Sequence, residues 1–137
     1  MYLLHSFTRL ISRFRYPASL PEDIAKDLGI HLSNSLSFDA FLKLLSSPHM
    51  HPTKIKKYMP RAQAESAFGS ALRTEVFPAC SLFSYYFSKG WVVIALHFDE
   101  EERLRRAYFQ CPSCEEMEGF NFSLEMEEPL LARASSQ

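Results

Sequence analysis

The chain has 137 residues, of which 47% are hydrophobic, 14% aromatic and 23% charged, and its formal net charge is −1. That is one domain by size, with enough apolar material for a core and too ordinary a charge content for global disorder. Ten Lys/Arg stand against six Asp/Glu up to residue 75, and five against ten beyond it, an asymmetry that reads as two solvated faces of opposite sign able to steer a charged partner.

The same figures set several functions aside. Lys54, Lys56 and Lys57 form one short basic run without interleaved exposed aromatics, so nucleic acid is not an expected partner. No apolar run approaches the ~20 residues that cross a bilayer, and the longest, Trp91 to Leu96, has the length of a strand. His5, Arg9, Arg13 and Arg15 interrupt the apolar N-terminal stretch, which argues against a secretory signal. Three cysteines are too few and too odd for a disulfide framework, so a reducing cytoplasm is expected.

In chain order, residues 1–16 contain no acid. Leu3, Leu4, Phe7, Leu10, Ile11 and Phe14 recur at spacings of three and four, the pattern of an amphipathic helix docked on a core. Acid-free starts with Arg and Ser also occur in transit peptides and interfacial helices. Pro17 ends the segment. Ser19 to Asp23, with Pro21 in the first turn, starts a helix that Gly29 stops. A loop over 31–37 leads to a second helix with Phe38, Phe41, Leu42, Leu44 and Leu45 as its apolar face, ended by Ser46-Ser47-Pro48. Pro52 opens a short basic helix over Thr53 to Tyr58. Pro60 starts another helix, with Ala62, Ala64, Ala67 and Phe68 apolar and Gly69 as its stop.

Residues 74–81 read as a connection containing Pro78. Leu82 to Phe87 is an aromatic strand, with Phe83, Tyr85 and Phe87 on one face and Leu82, Ser84 and Tyr86 on the other. Ser88-Lys89-Gly90 is a hairpin turn. Trp91 to Phe98 is apolar on both alternating faces and predicts a central, covered strand. Residues 99–110 fit two patterns. As a helix, Asp99 caps, and Glu101/Arg105 and Glu102/Arg106 lie four apart. As a strand, a turn of four acids precedes a charged sheet edge. Propensity favours the helix. Phe120 and Phe122 allow a short fourth strand, and residues 129–137 read as a frayed tail.

The order of a Met59-Pro60-Arg61-Ala62-Gln63 helix, an aromatic strand, an apolar strand and Leu96-His97-Phe98-Asp99 resembles the SmpA/OmlA family of outer-membrane-assembly lipoproteins. It is also similar to the related fold of β-lactamase-inhibitor proteins. Met59, Arg61, Gln63, Phe68, Gly69, Tyr85, Phe98, Asp99 and Leu104 occupy the matching places, over roughly residues 54–109. Pro60 stands where the family has Thr, Phe68 where it has Leu, and the lipoprotein Cys is absent. The resemblance implies helices against an antiparallel meander used as a protein-binding surface. It also implies a strand rather than a helix after Asp99.

Few residue groups offer chemistry. Cys111-Pro112-Ser113-Cys114 is the sharpest motif, but a zinc site needs about four ligands, and only Cys80 and a histidine such as His97 are left to complete it. A thioredoxin-like domain cannot be built around a pair so near the C-terminus. The motif therefore reads as two thiols at a strand end. His49 and His51 read as a loop pair without a ligand role. Four consecutive acids, Asp99 to Glu102, read as a solvated turn, since catalytic carboxylates need environments that split their pKa values. No phosphate loop or nucleophile elbow is present.

The expectation is an α+β domain over residues 1–137, with N-terminal helices (20–71) on one face of an antiparallel meander of three to four strands (80–125). The expected role is non-enzymatic, without cofactor or metal. Another protein is bound through Tyr85, Tyr86 and Trp91 and through Asp99, Glu100, Glu101 and Glu102. An immunity or inhibitor-type protein is the most concrete version, an adaptor or chaperone for a secreted partner the next. A metal- or thiol-dependent protein using Cys80, Cys111 and Cys114 is the rival class.

Overall fold

A computed structural model describes residues 18–32, 34–87, 90–111 and 119–126. The expected helix over 1–16, Cys114 and the tail over 129–137 lie outside the described residues.

Helix α1 (Pro21–Leu28) starts where Pro21 lacks an N–H that the first turn would leave unpaired anyway. The Asp23 carboxylate accepts the Leu20 N–H at 2.8 Å. Gly29 closes the helix at φ 77°, a left-handed conformation that favours glycine. A Cβ at Gly29 would fall on Thr53 Oγ1 and within 2.9 Å of the Lys54 backbone nitrogen. Gly29→Ala is therefore expected to cost about 2 kcal/mol, backbone strain plus the clash. A urea titration that finds less than about 0.5 kcal/mol would refute this.

Helix α2 (Phe38–Leu45) is capped by Ser37, whose hydroxyl accepts the Ala40 N–H at 3.2 Å, and it buries Phe41 and Leu45. Helix α3 (Arg61–Ser66) follows Pro60 and buries Ala64. The basic helix expected over Thr53 to Tyr58 does not form, because its backbone donors have tertiary partners. The Thr53 and Lys54 N–H groups go to Leu28 O at 3.0 and 3.1 Å. Those of Lys57 and Tyr58 go to Glu125 O and Leu104 O at 2.7 and 2.6 Å, and Tyr58 takes φ 73°.

Five antiparallel strands follow: β1 (Arg73–Phe77), β2 (Cys80–Phe87), β3 (Gly90–Phe98), β4 (Leu104–Gln110) and β5 (Phe120–Asn121), adjacent in that order. The sheet thus exceeds the three to four strands expected. The additional strand, β1, lies in the segment read as a connection. Every β1 residue except Glu75 is exposed, so β1 has no apolar alternation to read. Pro78 occupies the two-residue turn after it, where its missing N–H costs no ladder bond. Residues after Asp99 form a turn and then β4, as the family resemblance implied and propensity did not. β4 is followed by β5 and so is not the sheet edge.

Along β3, burial alternates from Gly90 to Phe98. Val92, Ile94, Leu96 and Phe98 join Phe83, Tyr85, Phe87, Ala107 and Phe109 in one core with Ile24 and Leu28 of α1, Phe41 and Leu45 of α2, and Ala64 of α3. Each such large side chain contributes about 1.5–3 kcal/mol of burial. Phe68 stacks on Phe83 at 4.4 Å and Phe38 tilts on Phe87 at 4.9 Å. The intervening Trp91, Val93, Ala95 and His97 are only half-buried, so β3 is central but not fully covered on both sides.

Candidate functional site

In an antiparallel meander the β1–β2 and β3–β4 turns lie at one end of the sheet. Here they touch: the Phe98 N–H donates to Ala79 O at 2.9 Å. Arg61, the first residue of α3, fastens both. Its guanidinium donates to Phe77 O at 2.6 Å, Pro78 O at 2.9 Å, Ser81 Oγ at 3.2 Å and Glu102 Oε2 at 3.0 Å. It pairs with Glu65 one helical turn on at 3.4 Å, and its carbon lies 4.7 Å from the centre of the Phe98 ring. Ser81 donates in turn to Glu65. Burial works against the Arg61 charge, but Glu102 and Glu65 outweigh it and hold the group above its ordinary pKa.

Asp99 builds the β3–β4 turn. Its Oδ1 accepts the N–H groups of Glu101 at 2.9 Å and Arg103 at 3.0 Å, and its Oδ2 accepts Arg105 Nε at 2.8 Å. The Arg103 N–H, and with it the Arg105 side chain, holds this carboxyl below the ordinary range against a smaller desolvation cost. Glu102 sits at φ 60° and turns its carboxylate to Arg61. Glu100 and Glu101 are left exposed. Beside them, Val76 is 64% and Phe77 47% exposed, and Pro78 and Ala79 are exposed too. An apolar lip therefore stands next to an acidic turn, both fixed by one arginine.

The expected aromatic surface is corrected. Tyr85 is fully buried and its hydroxyl donates to Asp27 Oδ2 at 2.6 Å; Tyr86 is 2% exposed. Register explains the first, since Tyr85 shares the core face with Phe83 and Phe87. Trp91, opposite Tyr86, is half-buried, with ring centres 5.5 Å apart and the Arg73 guanidinium 5.7 Å from its ring. Of the four acids, Asp99 organises the turn and Glu102 binds Arg61, so only Glu100 and Glu101 face solvent without such work. Val76 and Phe77 escaped the sequence reading because apolar residues beside a proline carry no exposure signal. Arg61 had one: a cation at the start of a helix, where the dipole disfavours it, needs a partner.

The thiol reading also changes. Cys111 is 3% exposed and disulfide-bonded, so it is not the free thiol expected at the strand end. Cys80 is free and half-buried; burial raises its pKa and the Arg61 charge pulls it back. His97, paired with Cys80 on one side and Arg106 on the other, is held below its ordinary value by burial and by Arg106. His49 is exposed, and His51 Nδ1 lies 3.2 Å from Ser123 O. Among the described residues no group of three or more His, Cys, Asp or Glu is placed to hold a metal, and no helix is long and apolar enough to cross a membrane.

No family model, curated protein or solved structure matches the chain.

Proposed function

We propose that the chain is a non-enzymatic protein-binding domain of the immunity or inhibitor type. In this reading the helices back one face of the sheet, and a partner docks at the end where the β1–β2 and β3–β4 turns meet. The observation that carries it is the exposed Val76–Phe77 lip beside the exposed side chains of Glu100 and Glu101, clamped through Arg61. Apolar anchors with a charged rim are what interfaces use, and a pre-fixed turn limits the ordering cost of binding. The resemblance of residues 54–109 to the SmpA/OmlA family, and to the related fold of β-lactamase-inhibitor proteins, implies a protein-binding surface of the same kind. The partner's matching patch is basic around an apolar centre.

The test is affinity capture of the tagged chain from its native cells, beside a Glu100→Lys/Glu101→Lys variant. Glu102 is kept, because removing it would also weaken the Arg61 clamp. The wild type is expected to hold one stoichiometric partner, and the variant to bind it about tenfold more weakly at low salt, converging at high salt. Equal affinities at low salt would remove the acidic turn from the interface. A partner whose own site is blocked makes the chain an inhibitor; a secreted client makes it an adaptor or chaperone.

A further inference from the structure

Strand β1 is the sheet's edge on one side. Its outward groups follow from the ladder. Because Phe98 N–H donates to Ala79 O, the odd-numbered residues of β2 face β3 and the even-numbered ones face β1. With Phe77 opposite Cys80, Arg73, Glu75 and Phe77 spend their backbone groups on β2. Thr74 and Val76 point theirs away from the sheet. Among the described residues no backbone hydrogen bond reaches either from outside β2, and both side chains are exposed. Native edges are guarded by proline, charged side chains (lysine above all), a bulge or a covering element. The stretch from Arg73 to Phe77 contains neither Pro nor Lys and pairs regularly with β2, and its two charged side chains, Arg73 and Glu75, pair with each other at 3.4 Å.

A second copy does not suit this edge. Antiparallel self-pairing that uses both outward residues sets Thr74 against Val76 of the other copy and Glu75 against its own counterpart, and like charges directly opposite are destabilising. A shift by two residues toward the C-terminus brings in Pro78, which has no N–H. The opposite shift brings in Leu72, whose N–H is already spent on Ser84 O at 2.9 Å.

We propose that the β1 edge accepts an extended segment of another protein as a sixth, antiparallel strand, one carrying a basic residue opposite Glu75, an acidic residue opposite Arg73 and apolar residues beside Val76 and Phe77. Arg73 and Glu75 share a face two residues apart, so a foreign strand of opposite charge order matches both, which the chain's own β1 in the fully paired register does not. The assignment rests on the protein-binding reading above and names what the partner offers.

The test uses the full chain and a labelled, end-capped peptide with the core Leu-Val-Lys-Val-Glu, followed by fluorescence anisotropy. Its charge-swapped twin, Leu-Val-Glu-Val-Lys, is the control. Binding of the first is expected to exceed that of the second about tenfold, and Val76→Pro, which deletes an outward N–H without touching the β2 ladder, is expected to abolish it. Equal affinity for the two peptides, or binding that survives Val76→Pro, overturns the proposal. Should Val76→Pro not fold, the double variant Arg73→Glu/Glu75→Lys serves instead and must reverse the peptide preference. A dimer seen by ultracentrifugation and lost in Val76→Pro would give the edge to a second copy and overturn it as well. A cellular partner held equally by wild type and Val76→Pro, with no peptide bound, removes the edge and leaves the protein-binding reading. Peptide bound with capture indifferent to Glu100 and Glu101 keeps the edge and removes the acidic turn.

Discussion

Arg61→Met is expected to lower the free energy of unfolding by about 3 kcal/mol, the range for breaking an ion pair largely shielded from water. The Arg61 side chain is 13% exposed and that of Glu65 27%. Methionine keeps much of the stem's packing against Phe98 and removes all the donors. Pro78 O loses its Arg61 donor, Phe77 O keeps only its ladder bond to Cys80, and Glu65 keeps only Ser81. The part-buried Glu65 and Ser81 side carries most of the loss, at about 1–3 kcal/mol for each stranded group, whereas water reaches the exposed Phe77 and Pro78 carbonyls. Glu102 adds little, since its side chain is 56% exposed and its pairing is screened. Arg61→Lys should recover only part of the loss, because one ammonium cannot serve carbonyls, hydroxyl and two carboxylates together. Urea titration reads the effect as a lower midpoint at unchanged slope. A loss under about 1 kcal/mol would show that water replaces the guanidinium and that the two turns do not depend on it.

The same clamp shows where sequence reading works and where it stops. Pro21 and Gly29 mark helix ends by local chemistry, and the structure uses each in that way, whereas the cap from Ser37 lies in a segment that reads only as a loop. The aromatic strand's two faces follow from period two, and the register places Phe83, Tyr85 and Phe87 together as expected. What period two does not say is which elements lie over a face. Tyr85 looked like a surface anchor because its partner, Asp27, is 58 residues away in sequence. β1 was invisible for the opposite reason. It buries almost nothing, so its membership of the sheet rests on backbone hydrogen bonds to β2 and not on any pattern of its side chains. Residues 53–58 show a third limit: a basic stretch opened by Pro52 does not become a helix when Leu28, Leu104 and Glu125 take its N–H groups. The acidic run was read correctly as a turn, yet only geometry separates Asp99, which holds the loop, from Glu100 and Glu101, which do not.

Asp27→Ala is expected to be as damaging as the loss of Arg61, at about 3 kcal/mol, and Tyr85→Phe to cost about 2. Asp27 is 3% exposed and accepts from the Tyr85 hydroxyl at 2.6 Å and the Ser70 N–H at 3.0 Å, so it ties α1 to β2 and to the loop before β1. Alanine strands a buried hydroxyl and a backbone N–H and opens a small void; phenylalanine removes one of the carboxylate's two donors. The pair also makes a pH signature. Burial, with Asp27 beside it, raises the Tyr85 pKa far above its ordinary value of 10.0. A raised pKa in the folded state means that stability is fully present below the unfolded value and falls as pH rises past it. The unfolded chain then releases a proton that the folded chain keeps, at about 1.4 kcal/mol per pH unit. Tyr85→Phe has no such proton. The stability gap between wild type and Tyr85→Phe should therefore be constant up to about pH 10 and shrink above it, until the variant is the more stable of the two. Denaturant titrations at about pH 8 and about pH 11 decide the matter. A gap unchanged between them would mean that Tyr85 ionises in the folded protein and that Asp27 does not hold it neutral.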